Sequence, residues 1–278
     1  MFKVNRIFIS CDDQTEYKQF IPIVSLAWQK LLGIKPTLAY VTDTVESTWD
    51  WMKEYCADIV KFPVRKDLKN NCVRAYCARM IIRYKYPEDI CMVSDLDMIP
   101  LNKEYFNNLP ENYSLDKFVN LTYDAFLNGD GDAINLTYPL SMRKFPTCYS
   151  IATGKIWKEI INPEDLDDDL VIDSWNGLNV YDPKENINAP YFCDESLMRM
   201  LIQRWNPSRD KLIGIDRGLE GGRVARRLDR SSWFIDEYKL QNNFYIDAHC
   251  PKPILQYQDD MKKLTNYLGI PFILKENI

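Results

Sequence analysis

Two aspartates separated by a single residue, Asp95 and Asp97, directly follow a short apolar segment, Ile90–Val93, which has the pattern of a buried strand. Residues two apart in an extended chain point to the same side, so both carboxylates face one space. Neighbouring carboxylates repel unless a cation or a shared proton compensates them. A hard divalent ion, Mn²⁺ or Mg²⁺, bound to a diphosphate is the usual partner. An acidic turn capping a helix near Asn102 is the structural alternative.

The Asp-x-Asp pattern alone is weak evidence for a metal site, because the chain contains it three more times. The other matches are Asp130 with Asp132, Asp165 with Asp167, and Asp167 with Asp169. None of these pairs directly follows a predicted buried strand. Position therefore favours the first pair as the candidate site.

Further candidate residues lie where predicted strands or helices begin or end. Asp12 and Asp13 follow the first apolar segment, where either a ligand contact or a plain turn would account for them. Asp194 and Glu195 precede a predicted helix, where aspartate is a good N-cap and the helix dipole favours glutamate. His249 is the chain's single histidine. A lone histidine is more often structural or exposed than a ligand.

A cluster of four arginines occurs within eight residues of this net-acidic chain. Such a cluster indicates either a local anion partner or a solvated loop. Its members are Arg223, Arg226, Arg227 and Arg230.

The pattern of apolar residues predicts alternating strands and helices over the first hundred residues. Strands are predicted near 7–10, 36–43, 58–62 and 90–93, and helices near 20–32, 48–56 and 70–86. Such alternation predicts an α/β fold with a mostly parallel sheet and helices on both faces. Ligands bind such sheets beyond the carboxyl ends of the strands. Both Asp12–Asp13 and Asp95–Asp97 are predicted at such ends.

The second half of the chain is less regular, and we predict one domain over residues 1–278. Residues 1–101 would form the ligand-binding half, and residues 102–278 would complete the site. Later predicted elements are strands at 119–123 and 147–152, a helix from Lys155, an acidic loop at 165–169, a helix at 196–204, a loop at 217–230 and a helix at 259–268.

The composition and net charge of the chain argue against nucleic-acid-binding and membrane-spanning proteins. The net charge of -5 and the pI of about 5.2 argue against general nucleic-acid binding, which depends on phosphate neutralisation. No segment approaches the roughly 18 uninterrupted apolar residues of a transmembrane span. The eight cysteines are scattered without a Cys-x-x-Cys pair, which suggests reduced thiols. With an N-terminus patterned as a strand and not as a signal peptide, we expect a cytoplasmic protein.

These motifs together resemble a known family. The segments 78–83 and 90–97, the early aspartate pair, and a late histidine ahead of Lys252-Pro253 are similar to GT-A glycosyltransferases. The nearest likeness is to the glycogenin and bacterial lipopolysaccharide galactosyltransferase group, family eight. The resemblance implies a GT-A (Rossmann-like) fold, a nucleotide-sugar donor, most readily a UDP-sugar, and a glycan or other hydroxyl acceptor. It makes residues 1–101 the nucleotide-binding half, and residues 102–278 the acceptor-binding half with the C-terminal metal-ligand segment.

The resemblance also implies roles for individual residues. Asp95, Asp97 and His249 would coordinate Mn²⁺ on the donor diphosphate. Asp12 and Asp13 match acidic residues that contact the nucleoside, and Arg79 and Lys252 match residues that reach the donor. Arg223 and Arg226 are candidates for the diphosphate, and Asp194 or Glu195 would lie near the reacting sugar as catalytic residues.

Two other functions remain open at this point. A nucleotidyltransferase acting on sugar phosphates would also hold a nucleotide over a metal, although that class usually has a Gly-rich basic loop where this chain has 11–15, Cys-Asp-Asp-Gln-Thr. A non-catalytic carbohydrate-binding protein on the same fold would need no metal.

Overall fold

The fold is seen in a computed structural model that describes residues 2–65, 72–123, 145–176, 181–182, 187–188, 193–220 and 223–275. The strands in this part of the chain are β1 Arg6–Cys11, β2 Thr37–Val41, β3 Asp58–Phe62, β4 Ile90–Val93, β5 Met98–Pro100, β6 Phe118–Asn120, β7 Ser150–Thr153, β8 Tyr181–Asp182, β9 Ile187–Asn188, β10 Leu212–Gly214, β11 Leu219–Glu220, β12 Arg223–Val224, β13 Arg227–Asp229 and β14 Asp247–His249. The helices are α1 Thr15–Lys18, α2 Ile21–Leu32, α3 Cys72–Ile81, α4 Lys103–Asn107, α5 Gly154–Ile161, α6 Asp168–Asn176, α7 Cys193–Trp205, α8 Glu237–Gln241 and α9 Gln258–Leu268.

The main sheet has seven strands among the described residues, in the order β10-β6-β7-β4-β1-β2-β3. All neighbouring pairs are parallel except those of β7, which is antiparallel to both β4 and β6. The chain leaves β1 towards β2 and β3 on one side and later returns to β4 on the other. The carboxyl ends of β1 and β4 therefore border a crevice at a topological switch point, where ligands bind in such sheets.

Helices cover both faces of this sheet, because residues along each strand alternate between two cores. Ile7 and Ile9 of β1 pack in one core and Phe8 packs in the other. The first core is closed by α2 and α9, and the second by α3, α5 and α7. The mixed α/β class with helices on both faces is thus confirmed.

A small second sheet brings the late strand β14 next to the Asp-x-Asp segment. Its order is β13-β14-β5, with β14 parallel to β13 and antiparallel to β5. The register pairs His249 with Met98, the residue after Asp97, and the Cys250 amide donates to the Asp97 carbonyl at 2.8 Å. Backbone pairing thus places residues 97 and 249 side by side although they are distant in sequence.

Several predicted elements differ in detail from those observed. The predicted helix at 48–56 is instead two 3₁₀ turns, Glu46–Thr48 and Asp50–Glu54. The last two residues of the acidic loop predicted at 165–169 begin helix α6, because aspartates in a first turn interact favourably with the helix dipole. The stretch predicted as a loop at 217–230 contains the short strands β11 to β13. The predicted end of α2 is confirmed, with Gly33 in the left-handed region at φ 75°.

The cysteines placed by the structure are core residues. Those with described side chains are buried and free: Cys11, Cys56, Cys77, Cys91, Cys148 and Cys250. Over the same described part of the chain, no helix has the length and apolar character needed to cross a membrane.

Candidate functional site

A cavity of about 340 Å³ opens beyond the carboxyl ends of β1 and β4, at the switch point of the sheet. Its volume lies within the range of ordinary small-molecule sites. Residues from seven separate regions of the chain line it: Ser10, Cys11, Asp12, Tyr17, Ala75, Tyr76, Arg79, Asp95, Leu96, Asp97, Thr147, Asp194, Glu195, Arg230 and His249. Seven of the residues singled out from the sequence are therefore brought together here: Asp12, Arg79, Asp95, Asp97, Asp194, Glu195 and His249.

The Asp97 carboxylate, which lines the cavity, is surrounded by three basic side chains. Its Oδ2 lies 3.1 Å from Arg230 Nη1, 3.3 Å from Lys252 Nζ and 3.7 Å from His249 Nε2. Burial alone would raise the pKa of Asp97, but contact with His249, Lys252 and Arg230 outweighs burial and holds this pKa well below its usual range. Asp97 is therefore an ionised carboxylate at neutral pH.

Arg79 also lines the cavity and lies between two carboxylates. One guanidinium nitrogen contacts Asp95, and the other donates to Asp194 Oδ2 at 2.8 Å and to Thr147 Oγ1 at 3.1 Å. Arg79 and Asp194 are almost fully buried, and the Asp95 side chain is one-third exposed. Burial raises the pKa of Asp194, and the neighbouring Arg79 only partly opposes this shift. This pairing links α3, the Asp-x-Asp segment and the start of α7.

The two aspartates after β1 take different positions. Asp12 lines the cavity, and its carboxylate accepts from the Gln14 amide at 3.1 Å. Asp13 is not among the lining residues. It accepts from Tyr40 Oη at 2.5 Å and from Thr42 Oγ1 at 2.7 Å, since the parallel register of β1 and β2 carries these residues alongside it. The donor-binding role predicted for Asp13 remains a prediction.

Lys252 reaches the site from the segment after β14. Its ammonium group contacts the Tyr17 hydroxyl, lies 3.8 Å from the centre of the Tyr17 ring, and is 3.3 Å from Asp97. The cation predicted near the donor phosphate therefore borders the cavity, held by the ring that forms part of its lining.

The arginine cluster contributes to the site through Arg230. Arg226 is exposed, and its guanidinium donates to the carbonyls of Phe244 and Asn243 at 2.8 and 3.4 Å, away from the lining residues. The side chain of Arg223 and the Asp130–Asp132 pair lie outside the described residues. The predicted roles of Arg223 and Arg226 in donor binding remain predictions.

A buried ion-pair cluster supports the small sheet behind the cavity. Asp247 is fully buried between two arginines, with Oδ2 2.9 Å from Arg217 Nη1 and 2.8 Å from Arg227 Nη2. Burial alone would raise the pKa of Asp247, but both guanidinium groups outweigh it and hold this pKa well below the usual range. The cluster fixes β13 and β14 two residues before Asp229 and His249.

Replacing Asp247 with Asn is expected to cost about 3–5 kcal/mol in the free energy of unfolding, because two buried guanidinium groups lose their counter-charge. Because folding lowers the pKa of Asp247, its ion pairs stabilise the folded state fully above the ordinary carboxyl pKa. This stabilisation is lost as the pH falls through the pKa of Asp247 in the folded state. Urea unfolding should therefore show a large loss in the free energy of unfolding of Asp247→Asn at neutral pH. Between neutral and acid pH, this free energy should fall less steeply in the variant than in the wild-type protein.

The matched control for that experiment is Asp165→Asn. Asp165 forms an exposed pair with Lys158 and has φ 56°, where asparagine is well tolerated. Equal unfolding midpoints for the control and Asp247→Asn would contradict a supporting role for the cluster.

Several site residues carry no local signal in the sequence. Tyr17, Thr147 and the consecutive pair Asp229 and Arg230 come from three separate segments. Arg230 belongs to the predicted arginine cluster, but the cluster alone did not distinguish it. Asp229 is identified only through the strand register that pairs it with His249.

Two of the three predicted metal ligands, Asp97 and His249, lie close enough to share a divalent ion, although both aspartates contact cationic side chains in this structure. Within the described residues, no three His, Cys, Asp or Glu side chains are gathered into a metal site. Asp95 contacts Arg79, while Asp97 contacts Arg230 and Lys252. However, Asp97 Oδ2 and His249 Nε2 face each other at 3.7 Å, close to the roughly 3.0–3.6 Å between two ligands about 2.1 Å from one ion. Carboxylate oxygens suit Mn²⁺, so the Asp97–His249 pair has a spacing that fits the expected ion, and the part predicted for Asp95 remains a prediction.

Comparison with known proteins gives a distant structural likeness. No protein-family model and no curated protein matches the chain. Solved structures that it resembles include the glycosyltransferase GlyE of Streptococcus pneumoniae TIGR4, at 12% identity and a TM-score of 0.48, covering 98% of this chain and 62% of that one. The apo form of GlyE gives 13% identity and a TM-score of 0.46, covering 100% and 66%. The chain thus spans less than two thirds of these proteins, and neither likeness extends to an activity or ligand of this chain.

Proposed function

We propose that this chain is a metal-dependent glycosyltransferase that moves a sugar from a nucleotide-sugar, most readily a UDP-sugar, to a glycan or other hydroxyl acceptor. The observation that supports the proposal is the position of Asp97, His249 and Lys252 together at the sheet's switch point. These residues, with Arg230, surround the place where a diphosphate would meet a metal ion. The sugar and acceptor would extend towards Arg79, Asp194 and Glu195.

The charge of the cavity supports a requirement for metal. Five carboxylates line its described part, with two guanidinium groups and the adjoining Lys252 ammonium group. A nucleoside diphosphate is itself multiply anionic, so these carboxylates would repel it unless a cation intervened. Mn²⁺ or Mg²⁺ held by Asp95, Asp97 and His249 would supply that cation.

The chain's own residues would bind and orient the donor. Arg230 and Lys252 would place positive charge beside the diphosphate as it departs. Arg79, fixed by Asp194 and Thr147, has a rigid fork of donors suited to sugar hydroxyls or phosphate oxygens. When bound, the metal would neutralise negative charge on the departing nucleoside diphosphate.

Asp194 and Glu195 are the proposed residues beside the reacting sugar. Both begin α7 and line the cavity. Asp194 is held by Arg79, and we assign contact with the acceptor hydroxyl to Asp194 or Glu195.

The test is turnover with a panel of UDP- and GDP-sugars, with Mn²⁺ and with EDTA, measuring nucleoside diphosphate release. We expect slow manganese-dependent hydrolysis of one UDP-sugar, faster with its acceptor. Release of pyrophosphate from a nucleoside triphosphate and a sugar phosphate would instead indicate a nucleotidyltransferase. Carbohydrate binding that is unaffected by EDTA, without turnover of any donor, would indicate a non-catalytic binding protein.

A further inference from the structure

A second carboxylate lies on the far side of the His249 ring from Asp97. Asp229 Oδ2 is 3.5 Å from Nδ1, whereas Nε2 points to Asp97 Oδ2 at 3.7 Å. The parallel register of β13 and β14 pairs Asp229 directly with His249. The ring is thus bracketed by two carboxylates, each facing a different nitrogen.

The Asp229 carboxylate is itself held in a fixed orientation. Its Oδ1 accepts from the Ser231 amide at 2.9 Å and from the Ser231 hydroxyl, which makes Asp229 the N-cap of a 3₁₀ turn. With Oδ1 engaged in the cap, Oδ2 is the oxygen turned to the imidazole. The 3.5 Å between Asp229 Oδ2 and His249 Nδ1 is slightly longer than an ordinary hydrogen bond. The contact therefore shows only that these two atoms face each other.

The next row of the same strand pair is rigid. Arg227 and Asp247 are register partners two residues before Asp229 and His249, and they form the buried ion pair described above. Residues two apart on a strand lie on the same face. The Asp229–His249 contact therefore lies next to the buried Arg227–Asp247 pair on the same face of the strands, at the edge of the cavity that His249 lines.

We propose that Asp229 is a positioning residue that accepts the Nδ1 proton of neutral His249 and so presents an unprotonated Nε2 towards Asp97. A histidine that binds a metal through one nitrogen commonly donates its other N–H to a carboxylate, which fixes both the tautomer and the ring orientation. The consequence for metal binding rests on the proposed function. The tautomer of His249 does not.

The tautomer can be measured directly because His249 is the only histidine in the chain. Full-length protein labelled with ¹⁵N-histidine contains one imidazole, so two-bond ¹H–¹⁵N spectra need no assignment. Spectra are recorded without metal or nucleotide, at a pH high enough for the ring to be neutral by its own nitrogen shifts. We expect Nδ1 to carry the proton. An Nε2–H ring in the wild-type protein overturns the proposal.

Asp229→Asn is the decisive variant because it keeps the N-cap of the 3₁₀ turn but replaces the acceptor that faces His249 Nδ1 with a donor. The asparagine oxygen can still accept from Ser231, which leaves its NH₂ group facing Nδ1 as a donor. We expect the proton to move to Nε2 in this variant. A purely structural role for Asp229 would leave the tautomer unchanged, and that result contradicts the proposal. Asp236→Asn is the matched control, since Asp236 caps α8 through Lys239 and should leave the His249 signals unaltered.

Binding of Mn²⁺ in the presence of UDP tests the functional consequence. We expect Asp229→Asn to weaken Mn²⁺ binding by roughly 10–100-fold, the usual effect of losing such a partner. A changed tautomer with unchanged Mn²⁺ affinity would overturn the positioning role. Absence of Mn²⁺ binding to the wild-type protein would instead refute the proposed metal site, while the tautomer result would stand independently.

Discussion

Replacing Asp97 with Asn is expected to abolish manganese-dependent donor binding and to lower the transfer rate by roughly a thousandfold. Metal assistance is worth several kcal/mol of transition-state stabilisation, and each 1.36 kcal/mol corresponds to about a tenfold change in rate. Asparagine keeps the shape of the side chain but removes the charge that a divalent ion requires. Donor turnover at saturating Mn²⁺ measures the effect, with circular dichroism to verify folding.

The control for Asp97→Asn uses another Asp-x-Asp match in the same chain. Asp165→Asn makes the same chemical change at an exposed residue and should leave turnover and Mn²⁺ dependence unaltered. Retention of near wild-type, manganese-dependent turnover in Asp97→Asn would refute the assignment of Asp97 as a metal ligand.

Replacing Arg79 with Met should destabilise the fold and remove donor turnover together. Asp194 is almost fully buried against Arg79, and deleting one member of a buried pair costs about 3–5 kcal/mol. Urea unfolding measures the loss. The double variant Arg79→Met with Asp194→Asn should recover part of this stability, because the unpaired buried charge is then absent, although it should not recover turnover.

The stability deficit of Arg79→Met should depend on pH with a defined sign. Burial already raises the pKa of Asp194, and loss of the guanidinium raises it further. A carboxyl whose folded pKa is raised contributes its stability below the unfolded pKa and loses it as the pH rises through the folded value. The deficit should therefore be small in acid and grow towards neutral pH.

Arg226→Met is the control for Arg79→Met, because the exposed Arg226 guanidinium contacts two backbone carbonyls and the Phe244 ring in the described part of the chain. We expect a small change in the unfolding midpoint that does not vary with pH. A pH-independent deficit in Arg79→Met would contradict the buried pair as its cause. Impaired donor binding in Arg226→Met would support the donor-binding role predicted for that residue.

The sequence predicted the parts of the fold that depend on local apolar periodicity. The four parallel strands β1 to β4 and the end of α2 at Gly33 follow from apolar runs and one C-cap residue. The antiparallel insertion of β7 between β4 and β6 was not predicted, because a buried strand has the same pattern whichever way it runs. The predicted helix at 48–56 is two 3₁₀ turns, and the loop predicted at 165–169 is helical at its last two residues, because short polar segments gave no clear period.

The site residues that directly follow predicted strands could be identified from the sequence. Those that reach the site only through the pairing of distant strands could not. Asp12 and Asp95 follow β1 and β4, whose carboxyl ends meet at the switch point. The placement of Asp229 beside His249 depends on the pairing of β13 with β14, across 20 residues of sequence. Arg230, and not Arg226, reaches Asp97, because the chain enters a 3₁₀ turn after Asp229. Nothing in the arginine spacing encodes that turn.

Calorimetric titration of UDP into the wild-type protein, with Mn²⁺ and then with EDTA, tests the central claim most directly. The carboxylate-rich cavity should bind UDP only when a divalent ion is present, so we predict a binding isotherm with Mn²⁺ that disappears in EDTA. Absence of UDP binding in both conditions, or equal binding in both, would contradict a metal-dependent UDP-sugar site at Asp95, Asp97 and His249.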